Sequence, residues 1–139
     1  MNARLLLIAA LLLLVGSPAT AADSAPGTAD LWYPPGEGES ADIGFYFVYS
    51  DTCPHCADAK PFIDQLEASY DWLDLHRIST HGATDAEVAA VLSLADDVGR
   101  EIQGVPTFLF CERMEVGFDT VATTGSAIEA ALIACRNAM

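Results

Sequence analysis

The sequence predicts an α/β domain built in the order strand-helix-strand-helix-strand-strand-helix. Two observations carry that prediction. The run Ile43–Tyr49 is apolar on both faces, which suits a central strand covered from two sides. Downstream, short strand-like runs alternate with longer segments whose apolar residues recur at helical spacing.

The elements follow in order. Met1-Asn2-Ala3-Arg4 leads into an unbroken apolar stretch over 5–15, then Gly16-Ser17-Pro18 and the small residues Ala19-Thr20-Ala21-Ala22. One positive charge, an apolar core of about 11 residues and an A-x-A-type end read as a cleavable secretory signal over 1–22. A membrane anchor needs roughly 20 apolar residues. The expected address is therefore periplasmic or otherwise extracytoplasmic. Residues 23–40 carry Pro26, Pro34, Pro35, Gly27, Gly36 and Gly38 with few aliphatics. They read as an irregular lead-in, with a short edge strand at Leu31-Trp32-Tyr33 as an option.

After the central strand, Ala59, Phe62, Ile63, Leu66 and Tyr70 give a helix over 54–70, which Pro61 should kink. Residues 72–79 form a second strand. Thr84 with Glu87 makes a capping box, backed by the stripe Val88, Val91, Leu92 and Ala95, and Gly99 ends that helix. Residues 105–111 and 115–118 read as strands around a turn at 112–114. Ser126 with Glu129 is a second capping box, followed by Ile128, Ala131, Leu132 and Cys135 on one face.

Composition narrows the function classes. The 139 residues contain 20 Asp and Glu against six Lys and Arg, and loss of Arg4 with the signal leaves five basic residues. Such a chain does not bind nucleic acid or an anionic membrane surface through charge. A solvated acidic surface, tolerable under salt screening, accounts for the balance without assigning a function. Roughly 117 residues remain, enough for one domain and too few for two. Four cysteines in an exported chain point to an oxidising compartment. Three pairings are open; a C-x-x-C at a helix start favours Cys53–Cys56, leaving Cys111 with Cys135.

The chemistry concentrates in Cys53-Pro54-His55-Cys56, where the central strand passes into the first long helix. Cys53 falls at the helix N-cap and Pro54 at the first helical position, where a missing N–H costs nothing. The unpaired N–H groups and positive end of the helix dipole then favour the Cys53 thiolate, the nucleophile of thiol–disulfide exchange. Cys56 is the resolving partner. His55 can donate to that thiolate or stabilise it by charge, while Asp51 and Asp58 oppose it.

Taken with two further features, this motif resembles the thioredoxin superfamily over residues 41–139. Pro61 lies five residues past the second cysteine, where thioredoxins have a helix-kinking proline. Gly104-Val105-Pro106-Thr107 resembles the family's cis-proline turn. The resemblance implies a thioredoxin-like fold, with a central four-stranded mixed sheet flanked by helices in a β-α-β-α-β-β-α core. It also implies that Cys53 forms the mixed disulfide, Cys56 resolves it, and Val105 beside a cis Pro106 pairs with an extended substrate strand.

Pro54-His55 and Val105 resemble the DsbA type, which leans the direction toward oxidation. Two departures stand against that identity. Residues 79–104 hold about one helix in place of the DsbA insertion, and Phe47 stands where thioredoxins keep a buried acid.

The expected function is an exported thiol–disulfide oxidoreductase, monomeric and without cofactor. Its partners would be protein thiols and disulfides and a membrane redox protein. Thr107, Leu109 and Cys111 share one face of the third strand and Cys135 extends the inward stripe of the last helix, so a structural disulfide between Cys111 and Cys135 is expected, with two separate buried thiols as the alternative. Two alternatives belong to other classes. One is a copper or other soft-metal handling module using Cys53, His55 and Cys56, with His76 or His81 as added ligands. The other is a redox-inert binding domain, against which both active-site cysteines are retained.

Overall fold

The computed structural model describes residues 27–36 and 41–139. The expected signal over 1–22, its cleavage site and the rest of the lead-in lie outside the described residues. Where the edge strand was an option, the chain instead forms a short helix, α1 (Thr28–Trp32). Strand β1 (Ile43–Tyr49), helix α2 (Pro54–Ser69), strand β2 (Leu73–Ser79) and helix α3 (Asp85–Asp97) follow. The hairpin β3 (Thr107–Phe110) and β4 (Arg113–Val116), a π-helical turn (Val121–Gly125) and helix α4 (Ser126–Ala138) complete the chain.

The four strands form one mixed sheet in the order β2-β1-β3-β4. β1 runs parallel to β2 and antiparallel to β3, and β3 is antiparallel to β4. Alternation along β1 divides the core in two. Ile43, Phe45 and Phe47 join Phe108 and Phe110 against Ala59, Phe62, Ile63 and Leu66 of α2 and Ile128 and Leu132 of α4. Tyr46 and Val48 join Ile78, Leu109 and Met114 against Val91, Leu94 and Ala95 of α3 and Trp32 of α1. Helices α2 and α4 thus cover one sheet face, and α1 and α3 the other.

Residues ahead of position 41 consequently take part in the core. Trp32 is 1% exposed, and its indole N–H donates to Asp97 Oδ2 at 2.7 Å, tying α1 to α3. The approach of α1 to the sheet requires a glycine opposite it, because a Cβ on Gly44 would collide with Leu31 O. An edge strand would have left this sheet face uncovered. A five-residue helix has too little periodicity to announce itself in the sequence.

Three helical details also differ from expectation. The capping box of α3 forms, with Thr84 accepting from the Glu87 N–H, but Val88 and Leu92 are exposed and Leu94 is buried in their place. Gly99 ends α3 at φ +66, a left-handed conformation that suits glycine. At α4 no Ser126–Glu129 box forms. The box forms a turn earlier, between Thr120 and Thr123, while Ser126 donates to Val121 O and Glu129 accepts from Tyr70.

The hairpin turn is tighter than expected and lies at Cys111-Glu112, both at positive φ. Cys111 therefore stands outside β3. Its sulfur does not follow the face of Thr107 and Leu109, since Leu109 belongs to the α1–α3 side and Phe108 and Phe110 to the other. The turn carries Cys111 to the α4 side, where it lies at disulfide distance from Cys135 with a Cα–Cα separation of 6.3 Å. Residues 111 and 135 end up paired, although the strand-face argument for pairing them does not hold.

If α1 belongs to the cooperative unit, Trp32→Ala should cost about 3–5 kcal/mol, the usual range for emptying a buried aromatic site. Urea unfolding followed by far-UV circular dichroism measures it. An unmoved midpoint would show α1 to be an appendage.

Candidate functional site

β1 ends at Tyr49, and Ser50-Asp51-Thr52 turns the chain into α2. The Cys53 N–H donates to Ser50 O at 3.3 Å within that turn. Cys53 is the N-cap of α2 in extended conformation, φ −90 and ψ 117, and Pro54 occupies the first helical position. The Cys53 sulfur accepts the Cys56 N–H at 3.1 Å. A free N–H of the first turn is thereby satisfied by sulfur, the geometry in which a helix terminus favours an anion. The donor on the sulfur is this backbone group and not the His55 ring.

The two thiols differ sharply in exposure. Cys53 is half-buried and Cys56 is fully buried; the structure holds both as free thiols. Burial pushes the Cys56 thiol up to about 11, reinforced by its hydrogen bond with the Cys53 side chain. The Ser50 backbone and the Lys60 ammonium pull the other way. Lys60 sits one helical turn after Cys56, pairs with Asp51 at 3.3 Å and lies 4.7 Å over the Tyr49 ring. Lys60 is not among the site residues expected from sequence, although the chain's single lysine at i+4 from Cys56 is a usable signal in so acidic a chain. Asp51, expected only to oppose the thiolate, is engaged by that lysine.

Phe47 is 1% exposed and stacks on Tyr49 and Phe108 at 5.1 and 5.5 Å between centroids. Among the described residues the one buried polar side chain is Thr107, whose hydroxyl donates to Gly104 O at 2.6 Å. No buried carboxylate is there to accept the Cys56 proton.

The loop before β3 comes alongside the motif. The Val105–Pro106 peptide is cis, Cys53 Sγ lies 3.7 Å from Val105 O, and Pro106 O accepts the Gly117 N–H at 2.8 Å. A groove of about 660 Å³ opens beside this contact, bordered by His55, Val105, Pro106, Glu115, Phe118 and Asp119. Cys53, His55, Cys56, Val105 and Pro106 are thus brought to one end of the sheet.

His76 and His81 lie elsewhere. His76 hydrogen-bonds Asp74 at 2.9 Å and stacks on Tyr46, while His81 bonds Thr80 at 3.2 Å. Among the described residues no three His, Cys, Asp or Glu side chains converge as a metal site would require. Pro61 lies within α2, and Cys111 and Cys135 sit at the α4 side of the hairpin turn, apart from the groove lining.

No protein-family model matches the chain, and a search of curated proteins finds no match either.

The elevated Cys56 thiol has a measurable consequence. A proton held more tightly in the folded state contributes stability that is complete below the unfolded value near 9 and is lost as pH rises toward 11. The urea midpoint of the reduced protein should fall across that window, and Cys56→Ala should remove that part of the slope. An identical pH profile in the variant would contradict the assignment.

Proposed function

We propose that the chain is an extracytoplasmic thiol–disulfide oxidoreductase of thioredoxin-like fold, acting on protein thiols and disulfides through Cys53-Pro54-His55-Cys56. One observation carries the reading. A half-exposed sulfur caps a helix and accepts its first-turn N–H, while a buried thiol with an elevated pKa waits three residues on. That asymmetry divides the labour between nucleophile and resolver. The mixed sheet with one parallel pair and helices on both faces is compatible with the fold.

In the reducing direction the Cys53 thiolate attacks one sulfur of a substrate disulfide. The substrate S–S bond breaks, a mixed disulfide forms, and the departing thiolate takes up a proton. Cys56 then loses its proton and attacks Cys53 Sγ, releasing the second substrate thiolate. Two electrons have passed from the dithiol to the substrate, and the Cys53–Cys56 disulfide remains. In the oxidising direction the same steps run backwards and a disulfide is left in the substrate.

Proton transfer from Cys56 is the demanding part. A thiol near 11 is almost wholly protonated at neutral pH, and the surrounding core is apolar. Lys60 at the helix surface is the charge that eases ionisation of Cys56. The direction leans toward oxidation, because interactions that favour the Cys53 thiolate stabilise the reduced form and make the disulfide a stronger oxidant.

Trapping tests the reading. Cys56→Ser should accumulate a mixed disulfide with a substrate protein, visible on non-reducing gels and lost on reduction. Cys53→Ser should accumulate none. Equal trapping by both variants, or by neither, would contradict the division of roles. The His55 contribution is separable: His55→Ala should make the Cys53–Cys56 disulfide harder to reduce in glutathione buffers, and an unmoved equilibrium would make the histidine a bystander.

A further inference from the structure

The groove beside Cys53 has an uneven distribution of charge. Val105, Pro106 and Phe118 give it apolar surface, and the exposed carboxylates of Glu115 and Asp119 border it. Among the described residues that line it, His55 is the one able to carry positive charge. None of the five basic residues of the described chain forms an ion pair with a groove carboxylate. Lys60 pairs with Asp51, and Arg77 with Asp64 and Glu67. Arg100 donates to Met114 O and Arg136 to Ala41 O, while Arg113 lies over the Phe110 ring. Neither Glu115 nor Asp119 has a cationic partner among the described residues; one Asp119 oxygen accepts only the Thr123 hydroxyl at 3.2 Å.

We propose that this groove selects cysteine-containing polypeptide segments in which lysine or arginine flanks the reacting cysteine, with Glu115 and Asp119 as the specificity-determining residues. The inference rests on the redox reading of Cys53 and deepens it. A segment whose cysteine sulfur meets Cys53 lies along Val105 and Pro106, and the residues beside that cysteine then face the two carboxylates. A cationic flank is attracted; an acidic flank meets like charge at the groove rim and is disfavoured. Charge on the rim of an encounter surface acts mainly on association rate and is sensitive to salt.

The test uses short cysteine peptides carrying the cysteine as a mixed disulfide with 2-nitro-5-thiobenzoate, flanked by Lys, Ser or Glu. Cys53 attacks the peptide sulfur and the coloured thiolate leaves. Cys56 then attacks Cys53 Sγ and the peptide thiol is released, so one protein dithiol becomes one disulfide. At low ionic strength the Lys-flanked peptide should react about tenfold or more faster than the Glu-flanked one. The ratio should fall toward unity in 1 M salt, and also in the Glu115→Gln/Asp119→Asn double variant.

Asp71→Asn/Asp96→Asn removes the same charge from positions outside the groove and should keep the ratio. Equal rates for the two charged peptides would overturn the proposal. So would an equal loss of selectivity in the remote variant, which would assign it to net charge alone. If the Ser-flanked peptide releases no chromophore, the redox reading fails and the selectivity with it. A reacting Ser-flanked peptide without charge preference refutes the selectivity only.

Discussion

Strand β1 can be apolar on both faces only if two helical layers cover it, and this requirement organises the molecule. Phe45 and Phe47 demand α2 and α4 on one side; Tyr46 and Val48 demand α3 and α1 on the other. β1 also pairs with β2 over its whole length and with β3 over 45–48, so its backbone is held from both sides where it leads toward Cys53. The strand is therefore rigid, and the turn leaving it places the start of α2 at a fixed point. Cys53 inherits its position from that rigidity. The close approach of α1 over Gly44 extends the same logic to the other face.

A second consequence is chemical. Among the described residues, a core made almost wholly of hydrocarbon offers Cys56 no buried carboxylate. Burial therefore sets its character and holds its proton, while the Cys53 sulfur lies half-buried at the helix start and accepts the Cys56 N–H. One helix start thus holds two sulfurs in contrasting surroundings. Lys60 and the Ser50 backbone are the groups that temper this contrast, and both belong to segments that β1 and α2 position directly.

Much of this was legible in the sequence, for identifiable reasons. The long apolar run of β1, the strong periodicity of α2 and the Thr84–Glu87 cap of α3 are local signals that tertiary packing did not override. The Cys53 cap was legible because Pro54 and the C-x-x-C spacing fix its geometry locally. The failures share a different cause. α1 is too short to show a period, and the buried face of α3 differs from expectation because Leu94, not Leu92, joins Trp32 and Tyr46 in the core on that sheet face. The hairpin turn was misplaced because a cysteine and a glutamate, neither a favoured left-handed residue, occupy it. The groove carboxylates were invisible in advance, since only the fold brings Glu115 and Asp119 to the side of His55 and Pro106.

In the proposed function Cys53 and Cys56 are the exchanging pair, and Cys111 and Cys135 form a bridge that ties α4 to the hairpin. Equilibration of the purified protein with glutathione buffers, followed by mass-spectrometric mapping of each cysteine, measures this most directly. The account predicts a reversible two-electron transition confined to Cys53–Cys56, at a potential on the oxidising side of thioredoxin's (about −270 mV), with Cys111–Cys135 intact throughout. Reduction of Cys111–Cys135 first, or a Cys53–Cys56 pair that never exchanges with glutathione, would contradict it.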